Sequence, residues 1–306
     1  MKNPQSHKVL ARHGKSFYWA SFFLGSQLAD RAARLYEFCR FVDDLADGDL
    51  PHRQESLEDI RACLEDPNSE NDGLTIPELS NFIDLAQQNN IPLSAARELL
   101  DGMLLDQQPT QLTTERELLR YCHAVAGTVG LMMCRVLECT QPRAQAFAID
   151  LGIAMQLTNI SRDVLEDAKM GRRYLPSDWF ESVVSVDDIA NAESDCLQPV
   201  TQAIDRLLQL SETYYASALM GIRLLPFRSR LSIAIALRVY RQIGWVLRRQ
   251  DLAWWKGRVM VGKTEKARLS LRSLSELLPV HVPAHTSALH QHLEGLAGVQ
   301  HNYDQS

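Results

Sequence analysis

The chain has 306 residues, 45% of them hydrophobic and 23% charged, with a formal net charge of −6. That is ordinary globular material, long enough for one sizeable core, and the acidic balance speaks against bulk binding of nucleic acid. The charge is polarised: residues 1–200 carry 18 Lys/Arg against 31 Asp/Glu, while residues 201–306 carry 14 against 7. A basic final third implies an anionic partner, whether the acidic remainder, a phosphate or a lipid headgroup.

No apolar run approaches the roughly 18 residues of a membrane span, and Met1–Ser6 lacks the apolar core of a signal peptide. Six cysteines (Cys39, Cys63, Cys122, Cys134, Cys139 and Cys196) form no C-x-x-C pair. They predict reduced core thiols in a cytoplasmic protein rather than disulfides or a zinc site.

Helical periodicity with only 15 Gly and 12 Pro predicts an all-α chain. About eleven helices are expected, near Gly14–Leu24, Gln27–Asp47, His52–Glu65, Pro77–Gln88, Pro92–Leu104, Glu115–Leu137, Pro142–Lys169, Asp187–Ala192, Thr201–Ile222, Pro226–Gln250 and Lys263–Leu277. Proline near several starts fits first-turn placement. The breaks at Asp66–Thr75, Asp106–Thr114 and Glu193–Asp195 are too short to separate domains, so residues 1–280 read as a single domain. Residues 281–306 read as a poorly ordered tail, with His281, His285, His290 and His292 solvated.

In the helix predicted over Gln27–Asp47, Tyr36, Cys39, Arg40, Asp43 and Asp47 share one stripe. A solvated stripe would more usually carry Lys, Glu and Gln. A second stripe, Gly152, Gln156, Asn159, Asp163 and Asp167, repeats the i,i+4 aspartate pair with Arg162 beside it. Four converging carboxylates are prohibitively costly to bury without counterions, so divalent cations are expected there. Such ions bridge carboxylates to phosphate oxygens, and the pattern suits holding and ionising a diphosphate. Between the pairs, Tyr121, Val125, Thr128 and Met132 share a face of a helix thinned by Gly127 and Gly130. Close helix packing and a slim wall beside an apolar cavity both fit. No strand precedes these glycines, which excludes a dinucleotide fingerprint.

Three blocks together resemble the squalene/phytoene synthase family. They are Cys39-Arg40-x-x-Asp43-Asp44-x-x-Asp47, then Tyr121-Cys122-x-x-Val125-Ala126-Gly127-x-Val129-Gly130, then Leu151-Gly152-x-x-x-Gln156-x-x-Asn159-x-x-Arg162-Asp163-x-x-x-Asp167 with Arg172-x-Tyr174-x-Pro176. The resemblance covers residues 12–275, and the wording of the second and third blocks is most similar to bacterial phytoene synthases. It implies a single-domain isoprenoid synthase helical bundle with a central cavity. It also implies a prenyltransferase joining two allylic prenyl diphosphates through a cyclopropylcarbinyl diphosphate. Use of two geranylgeranyl diphosphates gives phytoene, for carotenoid biosynthesis. Use of farnesyl diphosphate gives dehydrosqualene, squalene or the cyclopropyl intermediate, and helical spacing does not measure cavity depth. The implied cofactor is Mg²⁺, with Mn²⁺ as a substitute and no NADPH.

Carried over residue by residue, the resemblance implies metal ligands at Asp43, Asp47, Asn159, Asp163 and Asp167. It implies catalytic support from Arg40, Tyr36, Tyr121 and Tyr240. Substrate contacts are implied at His13, Lys15, Ser16, Phe17, Val125, Met132, Gln156, Asn159, Arg162, Arg172, Tyr174 and Arg258. Two departures stand out: Gly48-Asp49 follows Asp47 where many members have a further acid immediately, and Gly262 precedes Lys263 where Ser is common. A non-catalytic relative serving as a binding or assembly factor would be expected to lose the acids, and all four remain. The expected protein is a monomer that contacts the inner membrane face peripherally.

Overall fold

The computed structural model describes residues 4–48, 52–66, 76–107, 110–278 and 280–300. Thirteen α-helices occur among them: α1 (Pro4–His13), α2 (Lys15–Ser21), α3 (Ser26–Asp47), α4 (Arg53–Glu65), α5 (Pro77–Asn89), α6 (Leu93–Leu105), α7 (Glu115–Cys122), α8 (Thr128–Val136), α9 (Arg143–Lys169), α10 (Val186–Asn191), α11 (Ser194–Gly221), α12 (Phe227–Arg249) and α13 (Lys263–Arg272). The only strand-like pairing among the described residues is an isolated bridge between Gln111 and Arg173. The all-α expectation is met.

Three boundaries differ from the periodicity reading, each for a local reason. Helix α1 was not anticipated; Ser6 buries its hydroxyl against Glu37 at 2.6 Å and fixes this short helix on α3. Helix α11 begins at Ser194, within the expected break, and continues through Pro199. The long segment expected over Glu115–Leu137 is interrupted by a π-helical turn, His123–Gly127. Pro77 occupies the first turn of α5, whereas Pro92, Pro142 and Pro226 serve as N-caps. Residues 67–75 of one expected break lie outside the described residues.

Helix α9 is the axis of the bundle and packs against α8, the π-turn, α10, α11 and α12. Its approach to the preceding segment is unusually close. A Cβ on Gly152 would lie 2.2 Å from the Ala126 carbonyl oxygen, and one on Gly130 would lie 2.2 Å from that of Ala148. These glycines therefore let the helix backbones touch, as the packing reading proposed. A single apolar cluster runs from Ala20 to Leu293. Phe38 of α3 stacks on Phe82 of α5 with ring centroids 3.9 Å apart, anchoring the aspartate-bearing helix on its far side.

The end of the chain departs most from expectation. Residues 281–300 are not a loose tail: Leu293 is fully buried, and His285 and His290 lie inside the protein, against Asp150 of α9. The two imidazoles found a buried carboxylate partner that their spacing in the sequence does not reveal. Residues 301–306 lie outside the described residues.

Candidate active site

A cavity of about 340 Å³ opens along α3 and α9. Its polarity follows the direction of both helices. On α3 it is lined by Ala32 and Leu35, then Tyr36, Cys39, Arg40 and Asp43; on α9 by Ala144, Phe147, Ala148 and Leu151, then Gln156 and Asn159. The lining stripe on α9 covers about 22 Å of helix at 1.5 Å per residue. The two stripes read from the sequence therefore face one space as far as Asp43 and Asn159, apolar at the helix starts and polar further on, while Asp47, Asp163 and Asp167 continue the stripes beyond the lining residues.

The four acids, Asp43 in the lining and the other three further along the same helices, are in unequal states. Arg40 pairs with Asp43 at 2.9 Å and also with Asp44. Burial, then the charge of Asp47, pushes the Asp43 carboxyl up to about 6. On α9, Asp163 accepts two hydrogen bonds from Arg162 (2.7 and 2.5 Å) and two from Arg258 (2.7 and 2.6 Å). Burial opposes its ionisation, but these guanidiniums hold it below the ordinary carboxylate range. Asp167 has no hydrogen-bond or ion-pair partner for its carboxylate among the described residues, and burial followed by the charge of Asp163 pushes it up to about 8. Arg172 reaches across to Asp47 at 2.6 Å. Its position depends on Gly171, whose φ of +78° turns the chain back immediately after α9. Backbone bonds from Arg173 to Thr110 and from Leu112 to Arg173 hold that return.

The donor set fits divalent cations. Asn159 donates Nδ2 to Gln156 at 3.3 Å, while its Oδ1 is buried without a hydrogen-bond partner. With Asp167 it leaves hard oxygen donors unsatisfied beside ionised carboxylates, which suits an oxygen-seeking ion.

Phe17, Tyr36, Arg40, Asp43, Val125, Gln156, Asn159 and Tyr240 all line the cavity. Phe17 lies between two of these, with ring centroids 5.0 Å from Tyr240 and 6.1 Å from Tyr36. Burial raises both tyrosine hydroxyls above their ordinary range, so they remain protonated. His13 and Lys15 are exposed and Ser16 is half-buried. No hydrogen bond or ion pair joins these three to the four aspartates among the described residues. Asp49, of the departure noted after Asp47, lies outside the described residues.

Met132 is fully buried away from the cavity, and Met133 lines it instead, with Val125 and Val129. The π-turn explains the correction: its wider winding moves the register by one residue, replacing the expected face with one spaced by fours. The hydroxyls of Tyr121 and Tyr174 are also absent from the cavity. Both donate to Asp106, at 2.8 and 2.9 Å, and the rings stack 4.6 Å apart. Thr110 adds a bond to Asp106, whose main-chain carbonyl accepts from Arg172 at 3.2 Å. Asp106 is the residue sequence reasoning missed. It sat in a turn-rich break with no periodic signal, and only its spacing from the two tyrosines in three dimensions identifies it.

Comparison with known proteins follows this geometry. The family model described as squalene/phytoene synthase matches residues 10–265. The chain is 35% identical over 274 residues to the 15-cis-phytoene synthase of Paracoccus sp. (strain N81106 / MBIC 01143), covering 86% of this chain and 88% of that protein. It is 32% identical over 299 residues to the 15-cis-phytoene synthase of Pantoea ananas, covering 93% and 96%. Among solved structures, a dehydrosqualene synthase in complex with ligand superposes with a TM-score of 0.74 at 27% identity, covering 89% of this chain and 95% of that one. The chain belongs to the squalene/phytoene synthase family.

Proposed function

We propose that this protein is a phytoene synthase, joining two geranylgeranyl diphosphates into phytoene with release of both diphosphates. The observation that carries the reading is the cavity itself, apolar over most of its length, with Arg40 and Asp43 of α3 and Gln156 and Asn159 of α9 at its polar end. Identities of 32–35% to bacterial 15-cis-phytoene synthases over most of the chain support it.

Asp43, Asp47, Asn159, Asp163 and Asp167 would hold Mg²⁺, which when bound neutralises the diphosphate as it leaves. Arg40, Arg162, Arg172 and Arg258 surround the same acids and supply guanidinium donors to diphosphate oxygens. The allylic carbon–oxygen bond of one substrate breaks, its electron pair leaving with diphosphate. The double bond of the second substrate attacks the cation, and loss of a proton closes the cyclopropane. Its diphosphate leaves in turn, the carbon skeleton rearranges, and loss of a second proton gives the triene centre. The apolar lining excludes water from both cations, and the faces of Phe17, Tyr36 and Tyr240 lie where a cation gains from them. Incubation with geranylgeranyl or farnesyl diphosphate, with Mg²⁺ and with or without NADPH, tests the reading. A forty-carbon product independent of NADPH is expected; a thirty-carbon main product overturns the substrate assignment.

The cellular setting is a peripheral contact with an anionic lipid surface. No helix among the described residues is long and apolar enough to cross a membrane. Phe22, Phe227, Leu274 and Leu278 are exposed, on segments tied together by bonds from Trp19 to Ser270 and from Ser232 to Ala20. Arg228 and Arg272 are exposed within them, while the acid Glu276 is buried and paired with Arg223 and Arg238. The inward faces of the same segments, Ala20, Leu24 and Leu225, line the cavity's apolar end. Flotation with anionic vesicles at low salt should recover the protein, and Phe22→Ser with Phe227→Ser should abolish it. Equal flotation of parent and variant would remove this face from consideration.

A further inference from the structure

The segment from Val282 to Ala297 is fastened at every few residues to the bundle, mostly to elements that also contribute to the cavity lining. Arg143 of α9 donates to the carbonyls of Val282 (3.3 Å) and Pro283 (3.0 Å). Asp150, fully buried, receives His285 Nε2 (2.9 Å) and Ser217 Oγ (2.5 Å) on one oxygen and His290 Nε2 (2.8 Å) on the other. Tyr214 of α11 donates to Leu289 (2.8 Å), and Arg120 of α7 donates to His292 and Glu294 (3.2 and 3.1 Å).

The last clasp holds both main-chain polar groups of one residue, Ala297. Glu98 Oε2 accepts the Ala297 N–H at 2.7 Å, and its Oε1 meets His123 Nδ1 at 2.7 Å. His123 Nε2 faces the Ala297 carbonyl at 3.1 Å. The ring thus stands between two oxygens, one from Glu98 and one from the Ala297 main chain. Burial disfavours the Glu98 anion, but His123 holds its carboxyl below the ordinary range. The clasp is a fully satisfied buried polar network, which fixes geometry more than it adds stability.

The anchors on α6 and α9, and Ser217 beneath Asp150, are adjacent in sequence to the cavity wall, whereas Arg120 and Tyr214 hold the strap from outside it. Arg143 precedes Ala144, Ser217 precedes Ala218, and Glu98 precedes Leu99; all three followers line the cavity. His123 begins the π-turn that carries Val125 and Ala126 into the lining. His285 meets Phe147, another lining residue, edge-on with centroids 5.1 Å apart. We infer that residues 282–297 form a positioning strap that sets the spacing of α6, the π-turn, α9 and α11, and through it the prenyl chain length that is turned over. The inference rests on the phytoene synthase reading for its substrates.

The test opens each clasp separately, with His123→Ala and with His285→Ala/His290→Ala, in the full chain. Steady-state constants are measured for geranylgeranyl and farnesyl diphosphates below each variant's melting midpoint. The preference in kcat/KM for the longer substrate should fall about 10-fold, chiefly through KM, a size that a small misplacement of bound substrate produces. His123→Gln, which keeps a donor for Ala297, should restore part of it. Tyr214→Phe removes one strap bond without a cavity and should shift the preference in the same direction by about 2-fold, so the test survives if the alanine variants fail to fold. Unchanged preference in the folded variants, with kcat merely following the folded fraction, would overturn the strap's role. A parent enzyme with no preference for the longer substrate would instead overturn the function on which it rests.

Discussion

Arg172 Nη1 lies 2.6 Å from Asp47 Oδ1, joining the loop after α9 to the last turn of α3. The contact connects the two aspartate-bearing helices by a charge pair, and the backbone of Asp106 holds the other arm of the guanidinium. Arg172→Ala should therefore lower kcat/KM on the order of 100-fold, the scale seen when one preorganised donor to a developing anion is removed. Lysine should recover only part, since it cannot hold Asp47 and Asp106 at once. Steady-state kinetics of both variants check this.

Asp43→Ala and Asp163→Ala should each abolish turnover while leaving the helical circular dichroism unchanged. Full activity in either would remove that residue from the metal set.

The raised carboxyls make a pH prediction. Asp43 (about 6) and Asp167 (about 8) bind protons more tightly in the folded protein than in the unfolded chain. Their neutral forms contribute stability that is fully present below about pH 4 and is lost as pH rises towards 8. Both carboxylates are half-buried, and Asp167, raised further, carries the larger share. A divalent cation competes with those protons, and the rise in melting temperature on adding Mg²⁺ should grow between pH 6 and 8.5, with proton release measurable by calorimetry in two buffers. A Mg²⁺ effect independent of pH would contradict the assignment of Asp167.

The one-residue correction at the π-turn separates two neighbouring methionines. Met132→Ala, in the core, should cost about 2–5 kcal/mol of stability and leave the chain-length preference alone. Met133→Phe should leave stability nearly unchanged and reduce use of the longer diphosphate. Product analysis and thermal melts distinguish these outcomes.

Gly152→Ala places a methyl group against the backbone of Ala126, which cannot turn aside as a side chain can. A loss of about 1–3 kcal/mol is expected from such overpacking, measured by denaturant unfolding.

The aspartate stripes were legible because a 3.6-residue period alone decides which side chains share a helix face. Asp43 and Asn159 accordingly line the same cavity. The period also misled where the backbone abandons it: Met132 was placed by α-helical arithmetic across five residues that wind as a π-turn. Tyr121 and Tyr174 were visible as residues but not as a pair, because their shared partner Asp106 comes from a separate loop. The histidines of the last segment failed for a similar reason. Composition around His285 and His290 resembles a solvated tail, and the carboxylate that holds them lies well over a hundred residues earlier.

The four hydrogen bonds on Asp163 have one further consequence. Arg162 and Arg258 are occupied by an internal anion that imitates, in charge and in forked geometry, what a diphosphate oxygen pair presents. Were Asp163 to hold a cation instead, both guanidiniums would be free for the diphosphate of the substrate. Loading would then be an exchange of ions, with few new charges brought into the buried space, and affinity for diphosphate and for divalent cation should rise and fall together.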